Sequence, residues 1–295
     1  MNTTARSRHL ACSCDTAYLP HLATMLRTLA DHNDTDQIHV HFLSAVEDET
    51  ELRRFCTYIQ KLGFAISVID IDPQLFASYP LHGHVTAASY YRLAIPSVLP
   101  QDVSRLLFLD CDMCIAGDLS PLWTMDLQGH LLAAVASPDD PKGDRERLTM
   151  GPEDLYFNAG MMVMDLAGLR TYRLLDKSHA YLEKYRERIQ WWDQDILNGL
   201  LHAATLELDC SWNYLPLHGD CRDANDVRVV HFSGGGSRKP WHYSCRSEFQ
   251  SLYSQARSRT PWRRYRLDGA PSRLARAKFL VRRSLDKLLP IRQTK

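Results

Sequence analysis

Four consecutive apolar residues, Leu106-Leu107-Phe108-Leu109, run without a break into Asp110-Cys111-Asp112. A strand that is apolar at every position is buried on both faces, which places it inside an α/β sheet rather than on one face of a sandwich. Two carboxylates directly behind such a strand are costly unless a cation or hydrogen-bond donors compensate them. In open α/β sheets, ligands gather outside the carboxyl ends of the strands. Paired acidic side chains there can hold a hard divalent ion and leave room for phosphate oxygens. A bare D-x-D is more often a surface turn. It is the buried strand in front of it that favours the site reading.

The surrounding periodicity agrees with an α/β sheet. Leu10–Ser13 reads as a buried strand, and Leu22, Met25, Leu26 and Leu29 follow at helical spacing. Ile38, Val40 and Phe42 alternate as a strand. Leu52, Phe55, Cys56, Ile59 and Leu62 form a second helical stripe, with Gly63 as its C-terminal cap. Phe64, Ile66 and Val68 make another strand. Further strands are predicted at Leu131–Ala136, Gly160–Met164, Leu206–Leu208 and Val227–His231, and helices at Tyr172–Arg188 and Gln194–Leu201. Strands alternating with helices imply parallel neighbours. With 295 residues, 45% of them hydrophobic, the chain can bury a large core.

No apolar run reaches the roughly 18 residues of a membrane span. Met1–His9 is polar and precedes no signal-like apolar run. A cytoplasmic protein is therefore expected, with its eight cysteines as reduced thiols. Cys12-x-Cys14 and Cys111-x-x-Cys114 read as core thiols rather than as a zinc or redox site.

A net charge of zero conceals two halves. Residues 251–295 hold thirteen Lys and Arg against Asp268 and Asp286, leaving 22 basic and 33 acidic residues in 1–250. The chain is accordingly divided into a body, 1–250, and a basic tail, 251–295. Leu274, Ala277, Val281, Leu285 and Leu288 share one helical face in the tail, and Arg273, Arg276, Arg283 and Lys287 another. A basic amphipathic helix of this kind suits an anionic membrane surface, with Trp262 and Tyr265 at the interface. No nucleic-acid-binding motif supports the other polyanion.

Three further segments carry chemistry. His231-Phe232-Ser233-Gly234-Gly235-Gly236-Ser237-Arg238-Lys239-Pro240-Trp241 follows an apolar strand. Its glycines permit close approach to phosphate, Lys239 offers charge and His231 a metal-ligand nitrogen. Asp193-Gln194-Asp195-Ile196-Leu197-Asn198 opens a helix with two acids, of which a capping role explains only one. Phe157-Asn158-Ala159-Gly160 reads as a polar turn entering a strand.

Together with Gly117-Asp118-Leu119-Ser120-Pro121-Leu122-Trp123 behind the D-x-D, these ordered segments resemble glycosyltransferase family 8. Its members are retaining, metal-dependent transferases of GT-A fold. The likeness is greatest to the bacterial lipopolysaccharide and lipooligosaccharide galactosyl- and glucosyltransferases, and it covers residues 10–245. The resemblance implies an α/β, GT-A architecture: one Rossmann-like nucleotide-sugar domain with a mixed, mostly parallel sheet. It implies transfer of a hexose from UDP-galactose or UDP-glucose to a hydroxyl of a lipid-linked glycan, at the inner face of the cytoplasmic membrane.

The resemblance also assigns residues. Asp110, Asp112 and His231 match the family's ligands for Mn²⁺, with Mg²⁺ the alternative, and Cys111 lies between two of them in the nucleotide-sugar site. Ser13, Asp15 and Tyr18 match the uridine-binding segment, His84 a position near the diphosphate, and Gly234 and Lys239 the diphosphate loop. Arg92, Asn158, Asp193 and Gln194 match positions around the donor sugar, and Gln194 with Asp193 the catalytic pair. The chain departs from the family in reading Asp15-Thr16-Ala17-Tyr18 where Asp-Asp-Asn-Tyr is common. Its loop between Gly234 and Lys239 is longer. It has Ser137 where some members carry a sugar-binding aspartate, with Asp139 or Asp140 as substitutes. Other readings are a glycogenin-like self-glucosylating or galactinol-type family 8 enzyme, and a non-catalytic UDP-sugar-binding module.

Overall fold

A computed structural model describes residues 8–81, 86–137, 143–216, 226–264 and 266–270. Its centre is a seven-stranded sheet ordered β3-β2-β1-β4-β7-β6-β8. The strands are β1 (Arg8–Asp15), β2 (Ile38–Ala45), β3 (Ala65–Asp70), β4 (Arg105–Leu109), β6 (Leu132–Ala136), β7 (Phe157–Asp165) and β8 (Thr205–Leu208). A two-stranded ribbon pairs β5 (Met113–Ile115) with β9 (Val229–His231). β1 runs parallel to β2 and β4, β2 to β3, and β6 to β8, whereas β7 is antiparallel to both its neighbours. The mixed, mostly parallel sheet expected from the sequence is thus present.

Helices cover both faces, as a sheet of continuous apolar strands requires. They are α1 (Leu19–His32), α2 (Glu49–Lys61), α3 (Ile95–Val98), α4 (Ser120–Thr124), α5 (Asp144–Arg147), α6 (Leu166–Tyr172), α7 (Leu174–Tyr185), α8 (Trp192–Leu201) and α9 (Gln250–Ser258). Along β1, Leu10, Cys12 and Cys14 face the core under α1 and α2, while Ala11 faces the core on the opposite side. All of β4 from Leu106 to Leu109 is buried. Each such side chain contributes about 1.5–3 kcal/mol relative to exposure.

Several expectations are corrected. The helix foreseen over Tyr172–Arg188 is α7 followed by a 3-10 turn at Arg186–Arg188, and ahead of it stands an unforeseen helix, α6, ended at Arg173 with φ +60°. Phe157-Asn158-Ala159-Gly160 is not a turn but the start of β7. Cys210 is disulfide-bonded, so not every cysteine is a thiol; Cys12, Cys14 and Cys114 are buried and free, whereas Cys111, also free, is only partly buried and lines a cleft rather than the core. Trp262 does not lie at a membrane interface. It is buried in the core under α1 and α2, donating from Nε1 to Glu51 at 2.6 Å beneath the Arg54 guanidinium. The packed body runs past residue 250, because α9 places Tyr253 in the core and Arg259 on Asp31 of α1. The amphipathic segment from 273 onward and Tyr265 lie outside the described residues. Among the described residues, no helix is long and apolar enough to cross a membrane.

Candidate functional site

The carboxyl ends of β1 and β4, the ribbon and the start of α8 enclose a cleft of about 480 Å³. Ser13, Asp15, Tyr18, Arg92, Asp110, Cys111, Asp112, Asn158, Asp193, Gln194, His231, Gly234 and Lys239 all line it. His84, Asp139 and Asp140 lie outside the described residues. The structure therefore gathers segments more than 200 residues apart in sequence into one wall.

The ribbon brings the metal-type ligands together. Pairing of Met113 with His231, reinforced by the Phe232 N–H donating to the Asp112 carbonyl at 3.0 Å, sets the histidine beside the D-x-D. One ligand atom from each of Asp110, Asp112 and His231 lies within 4.8 Å of the other two. His231 Nε2 is 3.3 Å from Asp112 Oδ1 and 3.9 Å from Asp110 Oδ2. The far side of the ring is fixed, because Nδ1 lies 3.0 Å from Asn213 Oδ1. The amide oxygen can only accept, so Nδ1 carries a proton and Nε2 is the ring nitrogen turned to the two carboxylates. Two carboxylates and a ring nitrogen thus converge on one point, and a mixed O,O,N donor set suits a manganese-type ion.

Gly160 closes this corner. The Asp110 N–H donates to its carbonyl at 2.8 Å, extending the β4–β7 ladder to the first aspartate. A Cβ at this position would lie 2.4 Å from His231 Cε1 and 2.9 Å from Asp110 Oδ2. Only glycine lets strand and ligands approach this closely.

Two buried cations balance the acids. Arg92 donates from Nη2 to Asp110 Oδ1 at 2.6 Å and from Nη1 to the Ala159 carbonyl at 2.6 Å, and pairs through Nε with Asp193 Oδ2 at 3.0 Å. Lys239 pairs with Asp112 and donates to the Phe232 carbonyl. Burial disfavours a charged Asp112, but Lys239 and His231 outweigh it and hold the carboxyl below its usual range. For Asp110, burial prevails over Arg92 and the carboxyl is raised. Burial pushes Asp193 up to about 7, against the pull of Arg92.

Beside the acids the cleft wall is a chain of amides. Asn213 Nδ2 donates to Asn158 Oδ1 (2.9 Å), and Asn158 Nδ2 donates to Gln194 Oε1 (3.2 Å). Gln194 Oε1 also accepts the Ala159 N–H at 3.2 Å, and its Nε2 donates to the Tyr156 hydroxyl at 3.1 Å. That hydroxyl donates to Asp195 Oδ1 at 2.9 Å. Asp195, fully buried, also accepts the backbone N–H groups of Gln190 and Trp191 and two bonds from Arg147. Of the two acids opening α8, Asp195 therefore anchors the helix start, and Asp193 faces the cleft.

At the carboxyl end of β1, the Tyr18 N–H donates to Asp15 Oδ1 at 3.1 Å and the Ser13 hydroxyl to the Ala88 carbonyl at 2.9 Å. The Tyr18 ring packs edge-on to Trp241.

Sequence reading did not find Asn213, Tyr156 or Arg147. The first lies after a 3-10 turn in irregular chain and the second just ahead of β7, and neither neighbourhood carries a periodic signal. The one clue was the pair of acids in Asp193-x-Asp195, which implied a buried basic partner.

The sequence profile of the family described as glycosyl transferase family 8 matches residues 9–245. General stress protein A of Bacillus subtilis is 26% identical over 275 residues, covering 86% of this chain and 94% of that protein. Lipopolysaccharide 1,2-glucosyltransferase of Escherichia coli is 23% identical over 273 residues, covering 88% and 80%. The crystal structure of the galactosyltransferase LgtC, in complex with donor and acceptor sugar analogs, superposes with a TM-score of 0.76. It is 24% identical and covers 92% of this chain and 99% of that one, so the GT-A architecture expected from the sequence is confirmed.

Proposed function

The chain belongs to glycosyl transferase family 8, and we propose that it is a retaining, metal-dependent hexosyltransferase using UDP-galactose or UDP-glucose. Its acceptor is a hydroxyl of a lipopolysaccharide- or lipooligosaccharide-core glycan, as in the relatives named for those reactions. The observation that carries this reading is the convergence of His231 Nε2 on Asp110 and Asp112, with Lys239 and Arg92 at their backs.

In this reading Asp110, Asp112 and His231 hold Mn²⁺, or Mg²⁺ in its place. When bound, the ion supplies Lewis-acid stabilisation of negative charge on the departing diphosphate. Lys239 moves from Asp112 to a phosphate oxygen, and the Gly234 loop lets the backbone approach. Ser13, Asp15 and Tyr18 hold the uridine at the end of β1. Arg92 keeps Asp110 and Asp193 in register and faces the sugar with Asn158.

As the glycosidic bond breaks, the anomeric carbon becomes oxocarbenium-like. Ionised Asp193 stabilises that positive charge. Both polar atoms of the Gln194 amide are occupied within the protein, and an amide is a weak nucleophile. Gln194 therefore positions the sugar, and the acceptor attacks from the face the diphosphate leaves. The basic segment beyond residue 270 attaches the enzyme to the anionic inner surface of the cytoplasmic membrane, close to a lipid-linked acceptor.

The test is transfer from each UDP-hexose to a lipooligosaccharide core acceptor, with the product's anomeric configuration read by proton NMR. Retention, with activity lost in EDTA and restored by Mn²⁺, is expected. An inverted product, or turnover indifferent to EDTA, overturns the proposal.

A further inference from the structure

At the end of the sheet remote from the cleft, three histidines meet. His9 is the second residue of β1, and His39 and His41 lie two apart on β2. Parallel pairing of His9 with His39 puts all three on one face. The His39 and His41 rings stack with centroids 4.4 Å apart, and His9 Nδ1 lies 2.9 Å from His41 Nε2. His39 Nε2 is 2.8 Å from the Ser67 hydroxyl on β3. One ring nitrogen from each histidine lies within 4.8 Å of the other two.

Packing alone does not account for this cluster. The next residues inward on the same face, Ala11 and Leu43, are apolar and fully buried. His41 is only 2% exposed, and its Nδ1 has no hydrogen-bond partner among the described residues. His9 and His39 are partly exposed, so the cluster opens to solvent on one side. Burial holds all three rings below the usual histidine range, with Asp102 the acidic group opposing this at His9 and His41. Each ring therefore carries one nitrogen lone pair at neutral pH.

We propose that His9, His39 and His41 form a second metal site, selective for a borderline divalent cation of the zinc class, that clips β1 to β2. Tetrahedral zinc with nitrogen ligands at 2.0–2.1 Å places those nitrogens about 3.3 Å apart. That spacing falls between the 2.9 Å contact and the 4.8 Å limit of the cluster, so small ring rotations complete the site. Water fills the fourth position. Three neutral imidazoles favour Zn²⁺, Ni²⁺ and Cu²⁺ strongly over Mn²⁺, whereas the cleft's carboxylate-rich set discriminates less against Mn²⁺. Six strand residues, about 20 Å, separate His9 from Asp15 at the cleft, so the two sites act independently.

The test uses the full chain, stripped of metal and titrated with Co²⁺ as a spectroscopic stand-in for Zn²⁺. Wild type is expected to bind one equivalent more than His9→Gln or His39→Gln. It should also show intense visible bands of tetrahedral Co²⁺ that both variants lack. Zn²⁺ should raise the melting temperature of wild type further than that of either variant, and Mn²⁺-supported activity should be the same in all three. Equal stoichiometry and spectra in wild type and both variants overturn the proposal. Should either variant misfold, nitrogen-15 NMR of wild-type histidines decides: Zn²⁺ must shift three ring systems besides His231, and failure to do so overturns it.

Discussion

His231 and Asn213 are joined by a 3.0 Å hydrogen bond from the imidazole Nδ1–H to the amide oxygen, and this contact links two halves of the cleft. On one side the ring's other nitrogen faces Asp110 and Asp112. On the other, the Asn213 amide begins the relay through Asn158 to Gln194 and Tyr156. The Asp110/Asp112/His231 corner and the Gln194 corner are thus held by one hydrogen-bonded framework.

Asn213→Ala removes the group that fixes the His231 tautomer and ring angle. Loss of such an orienting partner typically costs 10–100-fold in metal affinity. We expect the Mn²⁺ concentration for half-maximal activity to rise by about that factor, with a smaller change in kcat at saturating metal. An unchanged Mn²⁺ dependence in the folded variant counts against the orienting role.

Tyr156→Phe keeps the buried ring but deletes the hydroxyl shared by Gln194 and Asp195. Leaving two buried polar groups short of a partner destabilises by about 1–3 kcal/mol. If Gln194 positions the sugar, kcat falls about tenfold while KM for the UDP-sugar hardly moves. Denaturant titration and steady-state kinetics on one preparation separate the two effects.

Asp193 has its carboxyl raised to about 7 by burial, in spite of Arg92. A raised carboxyl is protonated and neutral below that value and charged above it. If its charge stabilises the anomeric carbon, kcat/KM rises with pH through the neighbourhood of 7. Asp193→Asn flattens this limb and lowers the plateau by about 10²–10³, the range for loss of one preorganised electrostatic group. A wild-type profile flat from pH 6 to 8 contradicts the charge role.

Asp31 on α1 accepts from Arg259, just past α9, and from Arg27. Burial opposes its ionised form, but the two arginines outweigh it and hold the carboxyl below its ordinary 3.8. A depressed carboxyl contributes stability that is present above that ordinary value and lost as pH falls through the folded one. Asp31→Asn should therefore cost about 0.5–1 kcal/mol at pH 7 in urea titrations, and nothing near pH 2. A pH-independent difference argues that the pair does not fasten α9 to the body.

Much of this was legible in the sequence, for physical reasons. Leu106–Leu109 followed by Asp110 and Asp112 is legible because burial on both faces leaves an unbroken apolar run. α1 and β2 show their periods of 3.6 and 2. α6 was not legible, and the left-handed turn at Arg173 that separates it from α7 has neither glycine nor proline to announce it. β5 is three residues long and exists only through its pairing with β9. Trp262 looked like an interfacial aromatic because its neighbours Arg263 and Arg264 are charged, yet the ring turns inward onto Phe55 and Tyr58. Asn213 was invisible because its importance lies in which atom it meets across 18 residues of chain.

The central claim is that Asp110, Asp112 and His231 bind a metal ion that in turn holds a UDP-hexose. Calorimetric titration of wild type and Asp112→Asn with UDP-galactose and UDP-glucose, each in Mn²⁺ and in EDTA, tests it most directly. The account predicts that one of the two donors binds wild type in Mn²⁺, and binds at least about tenfold more weakly in EDTA and in the variant, about 1.4 kcal/mol. Equal affinity with and without Mn²⁺, or binding of neither donor by demonstrably folded protein, would contradict it.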